Sequence, residues 1–405
     1  MKINRLLVLV ALATASLPLI AGEIPGLGPR SPLVQLGEQC TYYPTPLEVD
    51  GELIVSWQLW HTSIKARRGT GLDSLGPEYS LVEDRVEDFR AAAAPGGFAL
   101  FWETDGAGSQ RSLSFRRFGA DLLPSTPPVL VESIPSGFWI DTEIFLEADG
   151  TATLAWARFG EQVVRLQRFS AAAVPLGPVA TIELPPGAFV NSLQPGPSSL
   201  LVGWSSGSLL VNQAFSLAGS PLGAAAVLGE GQYLRQAATE DGGYLSVFVR
   251  GGDLYLRRLG PTGEPLEPEI ALGLSAQAGP AQLAVDGNRV WLSWGVEVES
   301  SELFLARFDL DARSIDGFTR VEGYLENTRH TADRLEPVGD EVLLGWRRIN
   351  LPAILATPCD IGFATFARAF GPDQGVVDVP ALSPLGLGLC ALLFAVAGVL
   401  LRRTV

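Results

Sequence analysis

One phrase returns seven times along this chain: a short apolar run that ends in an aromatic. It reads GELIVSW ending at Trp57, GGFALFW at Trp102, GTATLAW at Trp156 and SSLLVGW at Trp204. It continues as GGYLSVF at Phe248, NRVWLSW at Trp294 and DEVLLGW at Trp346. The intervals are 45, 54, 48, 44, 46 and 52 residues, a mean period near 48. A fixed period of about 40–50 residues built only from strand signals is the mark of a propeller.

Each copy repeats one internal order. A moderately polar strand runs into a turn such as EADGT, TEDGG, AVDGN or PVGDE, where Asp-Gly supplies the positive φ of a tight hairpin. The apolar strand follows, then a loop, then a third strand such as VVRLQRF, DLYLRRL or ELFLARF. Last comes a strand opened by Pro: PPVLVE, PVATIE or PEIALG. Pro fits an outermost strand, where a missing N–H costs least. The fold expected is all-β: a seven-bladed β-propeller of four-stranded antiparallel blades. The second strand is apolar on both faces because each blade packs between two neighbours, and its aromatic fills the wedge between them. Open solenoids and paired sandwiches are the competing architectures, but sandwiches do not repeat seven times at this regularity. The copies lack the Gly-His and Trp-Asp pairs of WD repeats and the double glycine with spaced Tyr and Trp of kelch repeats.

Both ends of the chain read as addresses. In MKINRLLVLVALATASLPLIAGE, Lys2 and Arg5 precede an apolar run from Leu6 to Ala13. Small residues follow at Ala13-Thr14-Ala15 and at Ala21-Gly22, so residues 1–22 read as a secretory signal peptide with two possible cleavage points. At the other end, Leu385 to Leu401 is 17 residues without a charge, about the shortest helix that spans a bilayer. Arg402 and Arg403 follow at once and stay cytoplasmic by the positive-inside rule. Val379-Pro380-Ala381-Leu382-Ser383, the apolar segment and the Arg pair together resemble the PEP-CTERM-like sorting signals of Gram-negative bacteria, closest to the IPTL-CTERM type. The resemblance covers residues 379–405 and departs in wording, with Val-Pro-Ala-Leu where that type has Ile-Pro-Thr-Leu. It implies export to the cell envelope or surface. The protein is then held by the C-terminal transmembrane helix unless a sorting protease removes the tail.

Without these two segments, residues 23–378 carry 25 basic and 44 acidic residues, a net charge of −19. Such a body repels phosphate backbones and excludes nucleic acid as a partner. Metal chemistry has little to work with, since the two histidines, His61 and His330, lack a His-x-x-x-His spacing. Asp309-Leu310-Asp311 with Asp316-Gly317 lacks the spaced ligands and closing Glu of a calcium loop. No metal and no cofactor is expected. The Asp boxes of sialidase-like propellers have only a defective counterpart in SIDGFTR at 314–320.

An Arg recurs next to the residue that ends the third strand, at Arg117, Arg168, Arg258 and Arg307, with Arg368 nearby. Residues that recur with the repeat serve packing, with the guanidinium meeting a carboxylate or carbonyl of the next blade. Function belongs to what does not repeat. Loops entering the first strand and leaving the second share one face of the disc. That face carries Trp60, His61, Phe138, Trp139, Phe189, Tyr233, Tyr324 and His330. An aromatic rim of this kind suits sugar rings or a partner peptide. A non-catalytic binding module for glycan or protein ligands is the leading reading. A polysaccharide-active enzyme, glycosidase or lyase, would instead need a central pocket with converging carboxylates. A structural component of an extracellular matrix would self-associate without a small ligand.

Cys390 lies in the apolar tail, which leaves Cys40 and Cys359 in the exported body, where disulfides persist. A closed ring makes the first and last blades neighbours, so the sequence predicts a Cys40–Cys359 disulfide across the seam, with Cα atoms roughly 4.4–6.8 Å apart. SPLVQLGE at 31–38 reads as an extra outer strand able to pair with the last blade.

Overall fold

The computed structural model describes residues 41–366, apart from 60–61, 106–109, 136–139, 197, 276–280, 299, 311–314, 323–327, 339–340 and 351–359. Residues 1–22, read above as a signal peptide, the segment 31–38, both Cys40 and Cys359, and residues 379–405, read above as a sorting signal, fall outside these residues. Among the described residues no helix is long and apolar enough to cross a membrane.

Strand grammar becomes sheet topology directly. Strands β1 (Thr41–Val49), β2 (Glu52–Leu59), β3 (Ser63–Gly69) and β4 (Tyr79–Val82) form the first antiparallel blade in sequence order. The second holds β5 (Val86–Ala94), β6 (Gly97–Asp105), β7 (Gln110–Gly119) and β8 (Val129–Pro135). The third holds β9 (Ile140–Leu146), β10 (Ala152–Arg158), β11 (Val163–Phe169) and β12 (Ala180–Glu183). The fourth holds β13 (Phe189–Pro195), β14 (Ser199–Ser206), β15 (Leu209–Ser216) and β16 (Ala226–Glu230). The fifth runs through β17 (Gln232–Ala238), β18 (Tyr244–Arg250), β19 (Asp253–Leu259) and β20 (Ile270–Ser275). The sixth runs through β21 (Gln282–Asp286), β22 (Arg289–Val298), β23 (Ser300–Asp309) and β24 (Ile315–Glu322).

The protein is therefore an all-β propeller of four-stranded antiparallel blades, but the count differs from expectation. Among the described residues six blades have four strands, not seven. The last copy forms a sheet of three strands, β25 (Thr328–Val338), β26 (Glu341–Asn350) and β27 (Asp360–Phe366). The repeat was read from its apolar second strand, which says nothing about whether a short, polar outer strand follows it.

The first strands β1, β5, β9, β13, β17, β21 and β25 touch one another in turn, and β25 returns to β1. They surround a central channel. Between successive sheets lie apolar clusters, and every signature aromatic is buried in the cluster shared with the sheet before its own. Trp102 sits with Leu47 and Ile54 of the first blade, and Trp156 with Phe101 and Phe115 of the second. Trp204 sits with Leu166 of the third, Phe248 with Leu201 of the fourth and Trp294 with Val247 of the fifth. Trp346 packs with Leu305 of the sixth blade, and Trp57 with Leu343 of the three-stranded sheet. Alternate residues of the same strand face forward: Ala155 and Ala157 join the cluster with the fourth blade, while Leu154 and Trp156 face the second. Period-two alternation with both faces buried is what makes the strand apolar throughout.

The connection from third to fourth strand has its own repeat. Phe118, Phe169, Phe215 and Leu259 each bridge a Pro six residues on, at Pro124, Pro175, Pro221 and Pro265. The residue before each Pro gives its carbonyl to the amide just after the bridge, as in Gly119 N to Leu123 O at 2.9 Å. Pro lacks an N–H, so the bridge lies where none is required.

The recurring arginines bind turns, with one change from expectation. Arg117 reaches the Gly150 carbonyl of the next blade, and Gly150 itself has φ +83°, a conformation that favours glycine. Arg168 and Arg258 instead pair within their own blades, to Glu147 and Asp241, each at 2.6 Å. Arg307 lies over the Trp291 ring at 5.9 Å, also within its own blade. Arg368 lies outside the described residues.

Candidate functional site

Five of the seven channel-lining strands carry a β-bulge, four of them close to where they begin and β25 at its middle. Register shifts lie between Tyr42 and Thr45 in β1, Val86 and Asp88 in β5, and Val190 and Ser192 in β13. The others lie between Gln232 and Arg235 in β17 and between Ala332 and Arg334 in β25. Tyr43 and Tyr233 take positive φ, 53° and 55°, inside these bulges. A bulge turns the residue that follows it. The residues that resume the ladder are Thr45, Asp88, Ser192, Arg235 and Arg334, all polar.

These positions feed a charged hub. Arg90 Nη1 donates to Asp88 Oδ1 at 2.8 Å and to the Phe89 carbonyl at 2.9 Å. Its Nε lies 4.0 Å from Glu143 of the third blade, and Arg334 of the three-stranded sheet lies 3.9 Å from the other Glu143 oxygen. Glu143 thus links two sheets that are not neighbours in the ring. Arg235 Nη1 donates to the carbonyls of Asn191 and Leu234, each at 3.0 Å. Burial pulls the Arg90 guanidinium down, but Asp88 and Glu143 overcome it and hold the group above its usual range. Arg235 is lowered by burial and by the like charge of Arg90. Asp141 is raised by burial, against the pull of Arg235 and Arg90. Burial, with Glu48 adding its charge and Arg334 opposing, pushes Glu336 up to about 7. Burial also pushes Glu103 up to about 7, although Arg111 lies 2.6 Å away and pulls the other way.

These shifts fix a pH dependence. Glu103 and Glu336 hold a proton more tightly folded than unfolded, so their stabilising effect is complete below about 4.5 and is lost as the pH climbs through about 7. Asp241, lowered to about 2 mainly by its hydrogen bonds from Thr239 and Arg258, acts only at lower pH and leaves this window untouched. Denaturant titrations should show the propeller losing about 2 kcal/mol between pH 5 and 7.5, a figure already reduced for solvent around Glu336. A Glu103→Gln variant should lose less. A flat or rising profile would refute the assignment.

The channel opens into a pocket of about 210 Å³. Its lining comes from the C-terminal halves of β1, β5, β9, β13 and β25, with Glu143, Gln194, Arg334 and Glu336 as polar groups and Leu47, Ala91–Ala93 and Ile144 among the apolar ones. This mouth is on the face opposite the rim read from sequence. A central pocket containing carboxylates is the feature that the enzymatic reading required. Among the described residues no three His, Cys, Asp or Glu side chains converge as metal ligands.

On the rim face the structure describes two of the aromatics singled out from sequence. Phe189 begins β13 and is 40% exposed, and Tyr233 in the β17 bulge is 37% exposed. Phe159, in the turn after β10, was missed; it is 56% exposed. Its ring meets that of Phe189 edge-to-face, with centroids 4.8 Å apart and planes at 79°. Its position after a signature aromatic, in a loop leaving a second strand, was the available signal. Asn191 ties this pair to the hub, donating to the Phe189 carbonyl at 3.0 Å and accepting from Arg235. The backbone of His330 lies in β25 opposite Arg348. Trp60, His61, Phe138, Trp139 and Tyr324 lie outside the described residues.

No protein-family model matches the chain, and neither does any curated protein. Among solved structures it is similar to the WD40 domain of Toxoplasma gondii coronin, with TM-score 0.49 and 8% identity over 86% of this chain and 88% of that one. It is also similar to prolyl oligopeptidase B from Galerina marginata, with TM-score 0.45 and 11% identity over 78% of this chain. The chain spans about half the length of that enzyme, 48%.

Proposed function

We propose that this protein is an exported β-propeller that binds a glycan or protein ligand without catalysis, held at the cell envelope through residues 379–405. The observation that carries the reading is the exposed Phe159–Phe189 pair on the rim face, with Tyr233 exposed on the adjacent blade. Exposed aromatic faces bind sugar rings and peptide side chains, and each is worth about 1 kcal/mol beyond the area it covers. The two address segments and the net charge of −19 support export and a ligand other than nucleic acid.

A glycan array and an envelope-extract pull-down with residues 23–378 test it. Retention of a ligand that falls roughly ten-fold in affinity in the double variant Phe159→Ala, Phe189→Ala is the expected result. Hydrolysis of a polymer with no retention in either assay would overturn it in favour of the second reading. That reading, a polysaccharide-active enzyme, draws on Glu143 and Glu336 in the central pocket.

We also propose the Cys40–Cys359 disulfide. Cys40 directly precedes β1 and Cys359 directly precedes β27, two strands that start on the same face and pack together. Non-reducing peptide mapping should recover the joined peptides, and two free thiols would refute the bond.

A further inference from the structure

The pocket at the far mouth of the channel is separate from the aromatic rim, and its chemistry is specific. Arg334 and Glu143 line it with opposite charges, and the Arg90–Asp88 pair stands behind Glu143, outside the lining. An anion entering the pocket would compete with Glu143 for Arg334, and a cation would compete with Arg334 for Glu143. Either would leave a partner stranded in a confined space, which costs more than the new pair returns. Glu143 Oε1 accepts from the Ile144 amide at 3.2 Å, but its contacts with the two guanidiniums, at 3.9 and 4.0 Å, are too long for hydrogen bonds, so each carboxylate oxygen keeps a lone pair and Arg334 keeps donors. A hydroxyl oxygen can sit within hydrogen-bonding distance of both groups and satisfy each. Gln194 and Glu336 add polar groups around the same space, and Ala91–Ala93 offer an apolar wall.

We propose that this pocket binds a neutral, hydroxyl-rich ligand the size of one monosaccharide, its hydroxyls bridging Arg334 and Glu143 and its C–H face lying on the alanine wall. A volume of about 210 Å³ admits one such ring and no more. The site does not depend on the rim pair.

Calorimetry with the intact protein tests this with five probes: glucose, galactose, N-acetylglucosamine, glucuronate and glucosamine. At least one neutral sugar should bind at millimolar concentration or better, with glucuronate and glucosamine roughly ten-fold weaker. Glu143→Gln should weaken the neutral sugar roughly ten-fold, because the amide cannot accept on both sides. Phe159→Ala with Phe189→Ala should leave it unchanged, which separates failure of this site from failure of the rim. Circular dichroism and a melting curve of Glu143→Gln, matching those of the unsubstituted protein, establish that the variant is folded. Preference for either charged sugar, no heat with any of the five, or full binding by Glu143→Gln would overturn the proposal.

Discussion

Replacing Trp156 with Ala lowers the unfolding free energy by about 4 kcal/mol in guanidinium titrations, a large share of the stability of any propeller this size. The side chain is 1% exposed and fills the wedge between the second and third blades, against Phe101 at 6.1 Å in an edge-on arrangement. Blade-to-blade contact here is side chain on side chain, with no strand pairing across the gap, so the cavity cannot close by backbone movement alone. The indole N–H also donates to Glu132 at 2.6 Å, and Glu132 belongs to the outermost strand of the preceding blade. Trp156→Phe keeps a smaller aromatic ring and loses this bond, and should cost about 1.5 kcal/mol. A loss below about 1 kcal/mol for the alanine variant would mean the wedge is not the main contact between blades.

Glu132→Ala should cost about 2 kcal/mol, less than an isolated buried ion would, because its partners have a second acid. Glu132 accepts from Arg158 at 2.7 Å and lies 3.6 Å from Arg165, while Glu161 pairs with the same two arginines at 3.0 and 2.8 Å. Burial works against ionised Glu161, yet the two guanidiniums overcome it and hold its carboxyl below the usual range. With Glu132 removed, Glu161 still pairs with both arginines, leaving one net positive charge, and the indole N–H loses its acceptor. The double variant with Trp156→Ala should therefore lose less than the sum of the singles, by about 1 kcal/mol. Strict additivity would show that the hydrogen bond from Trp156 contributes nothing.

The sequence made the blade legible and left the hub hidden, for one physical reason. Residues that repeat, such as Leu154 and Trp156 or the turn glycine Gly150, answer to the same packing in every copy and stand out at a fixed period. Asp88, Glu143, Arg235 and Arg334 come one or two to a blade and differ in sign, so no period announces them. The bulges that place three of these four are single-residue slips in strands seven to eleven residues long, too brief to disturb an alternation read by eye. The outermost strand was hard to count for the opposite reason: strands such as β12 and β16 need few residues and little apolar character, so the lack of one among the described residues of the last sheet leaves no gap in the period. The rim was half legible, since loop position located Phe189 and Tyr233 but could not say that Phe159 would lean onto Phe189.

The packing of Trp57 against Leu343 sets a clock as well as a shape. The partner of the first wedge is made about 290 residues after it. At ordinary elongation rates of about 5–20 residues per second, that flank stays bare for roughly 15–60 s. Every other wedge is complete as soon as the next blade is synthesised, so assembly can proceed in order, with one sticky surface waiting from start to finish. The slow, long-range step is the meeting of the two ends, and a chain halted before Leu343 would carry its exposed Trp57 into whatever compartment holds it.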